Sequence, residues 1–237
     1  MGRLTALDGA PNSINPDKRL LGPILKRQAV WFREIQHARE EYTMKSLVLM
    51  LDGGHIGRMA RRSGLPYGPD FIEAFAKGCT FPDEELFRVL YYDCAPYEGQ
   101  HPLPVSGAIQ TFARSRHWLE ELAKRDLIAV KLGALRFCGY KLKQSPLRET
   151  AKLTDADFRP DFEKTGIDIQ IGLDVAAYSS LRSIDRIGFV TADPSHVVAM
   201  RFARRSGLEV VLIRLPVETP PVELLEHANS VRTVDWP

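Results

Sequence analysis

The sequence predicts an α/β protein with an open, mostly parallel sheet that carries helices on both faces. Short apolar runs, typical of strands buried on both sides, alternate with segments of helical spacing along most of the 237 residues. The composition is that of a folded protein, because 44% of the residues are hydrophobic and 26% are charged. Strand–helix alternation of this kind indicates βαβ units and hence a parallel sheet.

Bulk properties exclude some classes of function. The formal net charge is only +2, whereas proteins that coat nucleic acid non-specifically are usually far more basic. No apolar run has the length of a membrane span and no charged-then-apolar leader opens the chain. We therefore expect a soluble, cytoplasmic protein without a membrane partner. The three cysteines are widely spaced, which argues against a zinc site or a disulfide framework.

Residues 1–44 are predicted to form an N-terminal extension, a loose end followed by a helix from about Asp17 to Tyr42. The apolar positions of this helix suit docking or homo-oligomer formation, and equally a helix that folds back onto its own domain. Met44 directly precedes the first predicted strand, so the natural start could be either Met1 or Met44.

The main domain is predicted to span residues 45–216. Its first half is predicted to hold strands at 47–51 and 87–92, helices near 56–62, 70–77 and 115–125, and a strand or hairpin over 128–132 and 135–137 that breaks at Gly133. Its second half is predicted to hold strands at 187–191 and 209–215 around a helix at 194–205 that has Pro at its start. Residues 167–175 fit both periodicities, and we favour a helix because parallel strands need a crossover there. A tail with a short helix is predicted over 217–237.

Aspartates follow two of the predicted strands. Asp52 and Asp193 each end a strand, and Asp168 lies at the start of a predicted helix, six residues before Asp174. Ligands of parallel sheets bind at the carboxyl ends of the strands, where clustered carboxylates are stabilised by a cation such as Mg²⁺ or Mn²⁺. Taken singly, each aspartate is more simply a helix N-cap. Two of them at strand ends together favour a metal site.

The glycines after the first strand do not match other phosphate-binding motifs. Gly53, Gly54 and Gly57 are spaced G-G-x-x-G rather than G-x-G-x-x-G, and Asp52 would direct a negative charge towards a pyrophosphate. A dehalogenase-type phosphatase would need a second aspartate at the position of Gly54.

Three segments, LVLMLDGGHI (47–56), EKTGIDIQIGLDV (163–175) and IGFVTADPSHVVAMRFARRSGLEVVLI (187–213), together resemble the NYN family of the PIN-like nuclease superfamily. The resemblance covers roughly residues 45–216. It implies a PIN-like sheet and a metal-dependent endoribonuclease, in which water attacks the phosphodiester bond with the help of Mg²⁺ or Mn²⁺. The metal-site acids carried over are Asp52, Asp168 and Asp193, with Asp174 as a supporting candidate.

Two positions depart from the family pattern. Family members often have Asn three residues after the first Asp, where this chain has His55, and a second acid in the last motif, where it has Ser195. Because the metal site would then have one acid fewer, the protein could instead be a non-catalytic RNA-binding or regulatory module that keeps the nuclease fold. A phosphatase or nucleotidase that uses the same acids is a third hypothesis.

His55 and His196 each lie three residues after a proposed metal-site acid. Either histidine could orient phosphate or favour Mn²⁺, since imidazole suits softer divalent metals. Each could equally be a first-turn residue of a helix that bonds to a neighbouring carboxylate.

The expected partner is RNA in single-stranded form. The stretch that favours this partner is residues 127–148, which contain no acid. Aromatic residues beside cations commonly hold single strands, although basic residues on an exposed strand also prevent aggregation. The cations of this stretch are Lys131, Arg136, Lys141, Lys143 and Arg148, with Phe137 and Tyr140 between them. A second basic group, Arg58, Arg61 and Arg62, follows the first strand, and the acidic residues 155–163 are interpreted as a surface loop.

Overall fold

The structure is a computed structural model that describes residues 44–113, 115–143 and 152–237. The predicted N-terminal helix and Arg148 lie outside these residues. The described part contains nine strands and six α-helices. None of these helices combines the length and the apolar character that crossing a membrane requires.

Seven strands form one sheet in the order β6-β5-β2-β1-β7-β8-β9, and two form a separate hairpin, β3-β4. All neighbours in the large sheet are parallel except β5 and β6, which are antiparallel. This confirms the predicted α/β class. The strands are β1 (Lys45–Asp52), β2 (Glu84–Cys94), β3 (Gly99–Pro102), β4 (Ile109–Phe112), β5 (Ile128–Leu142), β6 (Phe158–Thr165), β7 (Arg186–Val190), β8 (Glu209–Arg214) and β9 (Ser230–Thr233).

Helices cover both faces of the sheet. Their bounds are α1 (Gly53–Arg62), α2 (Pro69–Gly78), α3 (His117–Ala123), α4 (Ile167–Ser179), α5 (Val197–Arg205) and α6 (Val222–His227). The first three pack on one face through residues such as Ile56, Phe75 and Leu122. The last three pack on the other face through Val175, Met200 and Leu224. Because β1 is buried from both sides, its residues 47–51 are at most 2% exposed.

The order of the strands reverses at β1. The chain builds β2 and β5 on one side of β1 and then crosses to β7, β8 and β9 on the other side. In sheets of this kind the crevice at the reversal, outside the carboxyl ends of the strands, is where ligands bind. The carboxyl ends of β1 and β7 border this crevice.

The β5-β6 pair differs from the sequence-based prediction. Gly133 does not break β5, since a side chain there would meet the backbone oxygen of Thr165 at 2.5 Å and glycine allows this close approach. Residues 155–163, expected as a surface loop, form a 3₁₀ turn (Asp155–Asp157) and most of β6. Their acids are used across the strand pair, where Glu163 contacts Arg136 and Asp161 lies 2.8 Å from Lys141.

Two further elements were not predicted. The loop expected after the second strand contains the β3-β4 hairpin. The chain beyond residue 216 contains the expected short helix, α6, and also β9, which pairs with β8 at the edge of the sheet. The sheet therefore extends past the predicted boundary of the main domain.

Candidate metal centre

Three aspartates mark the carboxyl edge of the central strands. Asp52 is the last residue of β1, Asp93 is the penultimate residue of β2, and Asp193 follows the end of β7 by three residues. The backbone N–H of Asp193 donates to Thr191 Oγ1 at 3.0 Å, which fixes the turn that leaves β7. The edge beside the strand-order reversal therefore carries a concentration of negative charge.

Asp168, Asp193 and His196 form a group that could bind a metal ion. One ligand atom from each of the three lies within 4.8 Å of the other two. Asp168 is in the first turn of α4, and His196 ends the 3₁₀ turn Pro194–His196. The Asp168 side chain is 66% exposed and that of His196 is 4% exposed. The group thus has an open side towards solvent and a rigid, buried side.

Ser195 links the two carboxylates of this group. Its backbone N–H donates to Asp193 Oδ1 at 2.9 Å and its hydroxyl donates to Asp168 Oδ1 at 3.2 Å. Burial raises the pKa of Asp193, but the hydrogen bonds from Ser195 and the nearby His196 and Lys164 outweigh it and leave the pKa below its ordinary value. Asp193 is therefore held in its ionised form.

His196 has an unused polar atom. Its Nε2 lies 3.6 Å from Asp168 Oδ1, while its Nδ1 is buried and has no hydrogen-bond partner among the described residues. Buried polar atoms are normally paired. Two carboxylates and an imidazole are a donor set that divalent metals accept, so the residues present fit a metal ion.

Asp52 and Asp93 lie outside the three-residue group. Asp52 Oδ1 accepts the backbone N–H of His55 at 2.9 Å and caps α1, the N-cap role that competes with a metal role. Asp93 Oδ1 accepts the backbone N–H of Cys94 at 2.7 Å. Burial raises the pKa of Asp93, and the negative charge of Asp52 adds to the effect. The fold thus brings the predicted acids Asp168 and Asp193 together. Asp52 instead lies close enough to Asp93, which was not predicted as a site residue, for its charge to act on Asp93.

Asp174 is not part of the centre. It accepts a hydrogen bond from the Tyr92 hydroxyl at 2.9 Å and pairs with Lys131 Nζ at 3.1 Å. Its carboxylate, 17% exposed, is engaged between α4 and the sheet. Because Asp174 lies six residues after Asp168, its side chain leaves α4 on a different face of the helix. The supporting metal role expected for Asp174 therefore does not match its position.

His55 is also directed elsewhere. It is 4% exposed, and its Nε2 lies 2.8 Å from Glu218 Oε1. The other oxygen of Glu218 accepts the backbone N–H of Leu215 at 3.2 Å. His55 therefore ties α1 to the chain that follows β8. Of the two predicted accessory histidines, only His196 lies with the acids.

Lys164 lies at the acidic edge although it comes from the antiparallel strand β6. Its Nζ occupies the space that a side chain at position 54 would fill, close to Asp52 Oδ1, so Gly54 allows the lysine to reach in. A cavity of about 570 Å³ opens here and is lined by Lys164, Arg58 and Arg61 together with Asp93. Of the cations that line this cavity, Lys164 is close enough to Asp193 to help lower its pKa. Arg58 and Arg61 line the cavity together with Asp93, whereas Arg62 is exposed in the last turn of α1.

The basic residues predicted on β5 are engaged within the fold. Lys131 pairs with Asp174, Arg136 with Glu163 and Lys141 with Asp161, and Lys143 Nζ donates to the backbone oxygen of Ala156 at 2.6 Å. Paired cations have less charge to offer a phosphate. Within the basic group on α1, Arg58 and Arg61 line the cavity that also contains Asp93.

Comparison with known proteins gives no family. No protein-family model matches the chain, and no curated protein matches it. A solved structure of a protein of unknown function from Vibrio parahaemolyticus is similar to this chain at 13% sequence identity. The similarity covers 82% of this chain and 95% of the other, with a TM-score of 0.46.

Proposed function

We propose that this protein is a metal-dependent endoribonuclease related to the NYN family, which hydrolyses phosphodiester bonds of RNA. One observation carries the proposal: Asp168, Asp193 and His196 converge at the strand-order reversal, and Lys164, whose charge acts on Asp193, lines a cavity together with Arg58 and Arg61. Convergent carboxylates beside phosphate-binding cations suit hydrolysis of a phosphodiester.

The metal in this proposal is Mg²⁺ or Mn²⁺, held by Asp168, Asp193 and His196. Carboxylates suit both ions, and the imidazole adds preference for Mn²⁺. A bound divalent cation would supply Lewis-acid chemistry, which stabilises negative charge on phosphate oxygens and acidifies water.

The protein's own groups bind and orient the substrate. Arg58, Arg61 and Lys164 would neutralise phosphates on either side of the bond that is cut, since all three line the same cavity. Ser195 holds both carboxylates of the centre in one arrangement through its hydroxyl and its backbone N–H. Burial raises the pKa of Asp93, so among the acids of this edge it is a candidate to take up and release a proton.

A non-catalytic RNA-binding module is the second candidate. It is favoured by Ser195, which stands where the family pattern has an acid, and by Asp52, which caps a helix instead of joining the three-residue group. A centre with fewer charged ligands binds hard cations more weakly.

Incubation of the purified protein with end-labelled single-stranded RNA tests the proposal. Internal cleavage is expected with Mn²⁺ or Mg²⁺ and not with EDTA, and Asp193→Asn should abolish it. Asp126→Asn is the matched control, because Asp126 is an exposed acid between α3 and β5. Binding without cleavage under every metal condition would instead support the module. Release of phosphate from mononucleotides without cleavage of the polymer would support a nucleotidase.

A further inference from the structure

A second cavity adjoins the one that Arg58, Arg61 and Lys164 line. It measures about 710 Å³ and lies between the β3-β4 hairpin, the β5-β6 pair and α3. Arg61, Asp93 and Trp118 line both cavities. The two are therefore parts of one continuous depression, and this second part is called the aromatic groove below.

Aromatic side chains form the walls of the aromatic groove. The ring of Tyr97 lies 5.3 Å from Phe162 and 5.9 Å from Phe112, measured between centroids, and all three rings line the groove. Trp118 lines both cavities and so stands between them. The rings of Tyr97, Phe112 and Phe162 are half-buried and belong to neither of the two hydrophobic clusters that hold the sheet and helices together. They pack on one another and on Phe137, and the aromatic area that this packing leaves uncovered can contact a ligand.

Polar groups stand at the rim of this aromatic surface. Gln110 lines the groove, and its Oε1 accepts a hydrogen bond from the Tyr140 hydroxyl at 3.0 Å. This bond orients the amide so that its NH₂ group remains able to donate. Thr111, the next residue of β4, is exposed on the same rim. A flat apolar slot with a few fixed polar groups matches the faces and edges of a nucleobase.

The charge distribution along the depression is uneven. Arg58, Arg61 and Lys164 line the first cavity, whereas the described residues of the aromatic groove include Arg61 and Asp93 as their only charged groups. An RNA strand has the same division, with phosphates along one side and bases along the other. A strand whose phosphates meet the three cations would direct adjacent bases towards the aromatic groove.

We infer that the aromatic groove binds unpaired RNA bases next to the phosphodiester presented to the candidate metal centre, and that the preference for single strands expected from the sequence arises at this groove. This inference rests on the proposed function for its substrate. In a duplex both faces of each base are covered by stacking, so only an unstacked, unpaired base can place a face on Tyr97 or Phe112. Stacking of this type tolerates any base, so we expect little sequence preference from the groove itself.

Binding measured without catalysis tests the groove independently of the nuclease proposal. The probe is a short fluorescein-labelled oligouridine in EDTA, with its duplex with oligoadenosine for comparison, followed by fluorescence anisotropy. The wild-type protein should bind the single strand at least about tenfold more tightly than the duplex, since stacking is lost in the duplex. Equal affinities would overturn the inference.

Two pairs of variants locate the binding. Thr111→Glu introduces a negative charge at the rim and should weaken binding of the single strand about tenfold. Ile109→Glu is the matched control, because Ile109 is 64% exposed on the same strand but does not line the groove. Tyr97→Ala should weaken binding by a similar factor and Tyr97→Phe by much less, since the phenylalanine keeps the ring. Thermal melting shows whether each variant is folded.

The outcomes separate the two proposals. Loss of binding in Thr111→Glu but not in Ile109→Glu supports the groove even if the protein cleaves no RNA. Cleavage of single-stranded and duplex RNA at the same rate, or unchanged binding in folded Thr111→Glu and Tyr97→Ala proteins, would sink the groove while leaving the nuclease proposal standing.

Discussion

At the residue scale, Asp193 both caps a turn and lies in the candidate metal group, whereas Asp52 only caps a helix. Asp193 accepts the backbone N–H of Ser195 and also lies with Asp168 and His196. Asp52 accepts the backbone N–H of His55 but has no such pair of neighbours. The cap role alone therefore does not distinguish a candidate metal ligand. The distinguishing feature is the convergence of other donor atoms on the same carboxylate.

Substitution of Asp193 tests this distinction. We expect Asp193→Asn to remove Mn²⁺ binding and to lower the free energy of unfolding in EDTA by no more than about 1 kcal/mol, because Asn keeps the cap but loses the charge that Ser195, His196 and Lys164 favour. Calorimetric titration and urea denaturation measure the two quantities. Asp52→Asn serves as the comparison and should keep Mn²⁺ binding. Retained Mn²⁺ affinity in Asp193→Asn would remove Asp193 from the centre.

Ser195→Asp should strengthen the centre. The Ser195 hydroxyl already reaches Asp168 Oδ1 at 3.2 Å, so a carboxylate at this position would face the same ion. An additional charged ligand should tighten Mn²⁺ binding about tenfold, since affinity in such sites follows the number of charged ligands. Calorimetric titration should show Ser195→Ala at or below the wild-type affinity. An Asp variant that is folded and binds no more tightly would mean that position 195 does not contact the metal.

Asp93 should make stability depend on pH in a defined direction. Burial raises its pKa in the folded protein, so ionisation of Asp93 disfavours the folded state and stability is lost as pH rises through the folded pKa. Asp93→Asn cannot ionise and should melt above the wild type at neutral pH. The difference should shrink as pH falls and vanish below the unfolded-state pKa of about 3.9. Melting curves of both proteins in EDTA, from neutral pH down to the unfolded-state pKa, measure this difference. A difference in melting temperature that does not change with pH would contradict the raised pKa of Asp93.

At the scale of elements, the sequence predicted the strands that are buried on both sides and missed β3, β4, β6 and β9, which are only partly buried. β1, β7 and β8 are continuous apolar runs bounded by helical segments, and this pattern has few other interpretations. β6 carries charged residues that pair across to β5, and so it looks like a surface loop in the sequence. The β3-β4 hairpin contacts an aromatic cluster built from distant segments, which no local pattern reveals.

The candidate site was predictable to a similar extent. The rule that identifies Asp52, an acid at the end of an apolar strand, applies equally to Asp93, which directly follows the predicted strand at residues 87–92. Lys164 precedes the Gly166 and Asp168 of the second quoted segment, yet its approach to Gly54 depends on the pairing of β6 with β5. Asp174 and His55 could not be excluded from sequence, because their partners Lys131 and Glu218 are distant along the chain.

The junction of β1 and α1 provides a test of packing. A side chain at Gly53 would overlap the ring and hydroxyl of Tyr91, which is fully buried. Gly53→Ala should therefore destabilise the protein by about 1–3 kcal/mol. Gly172→Ala is the matched control in the middle of α4, where no atom lies within 4 Å of the added carbon. It should stabilise by about 0.5–1 kcal/mol. Urea denaturation that ranks the two variants in the opposite order would contradict the packing described here.

At the scale of the whole molecule, one edge of the sheet carries every group used in the proposals. The reversal of strand order brings Asp193 beside β1, the antiparallel β6 brings Lys164, and the β3-β4 hairpin adds the aromatic groove. The opposite edge carries a buried network in which Arg186 and Arg232 pair with Glu84. Arg186 also pairs with Asp83 and Glu209, and loss of one partner from this network would leave a buried charge uncompensated.

The most direct test of the metal centre is a crystal of the protein soaked in Mn²⁺ and measured for anomalous scattering. The account predicts one peak within bonding distance of carboxylate oxygens of Asp168 and Asp193 and of a ring nitrogen of His196. The peak should be lost in Asp193→Asn and kept in Asp126→Asn. A peak bound only by Asp52 and Asp93, or none at a Mn²⁺ concentration that supports RNA cleavage, would contradict it.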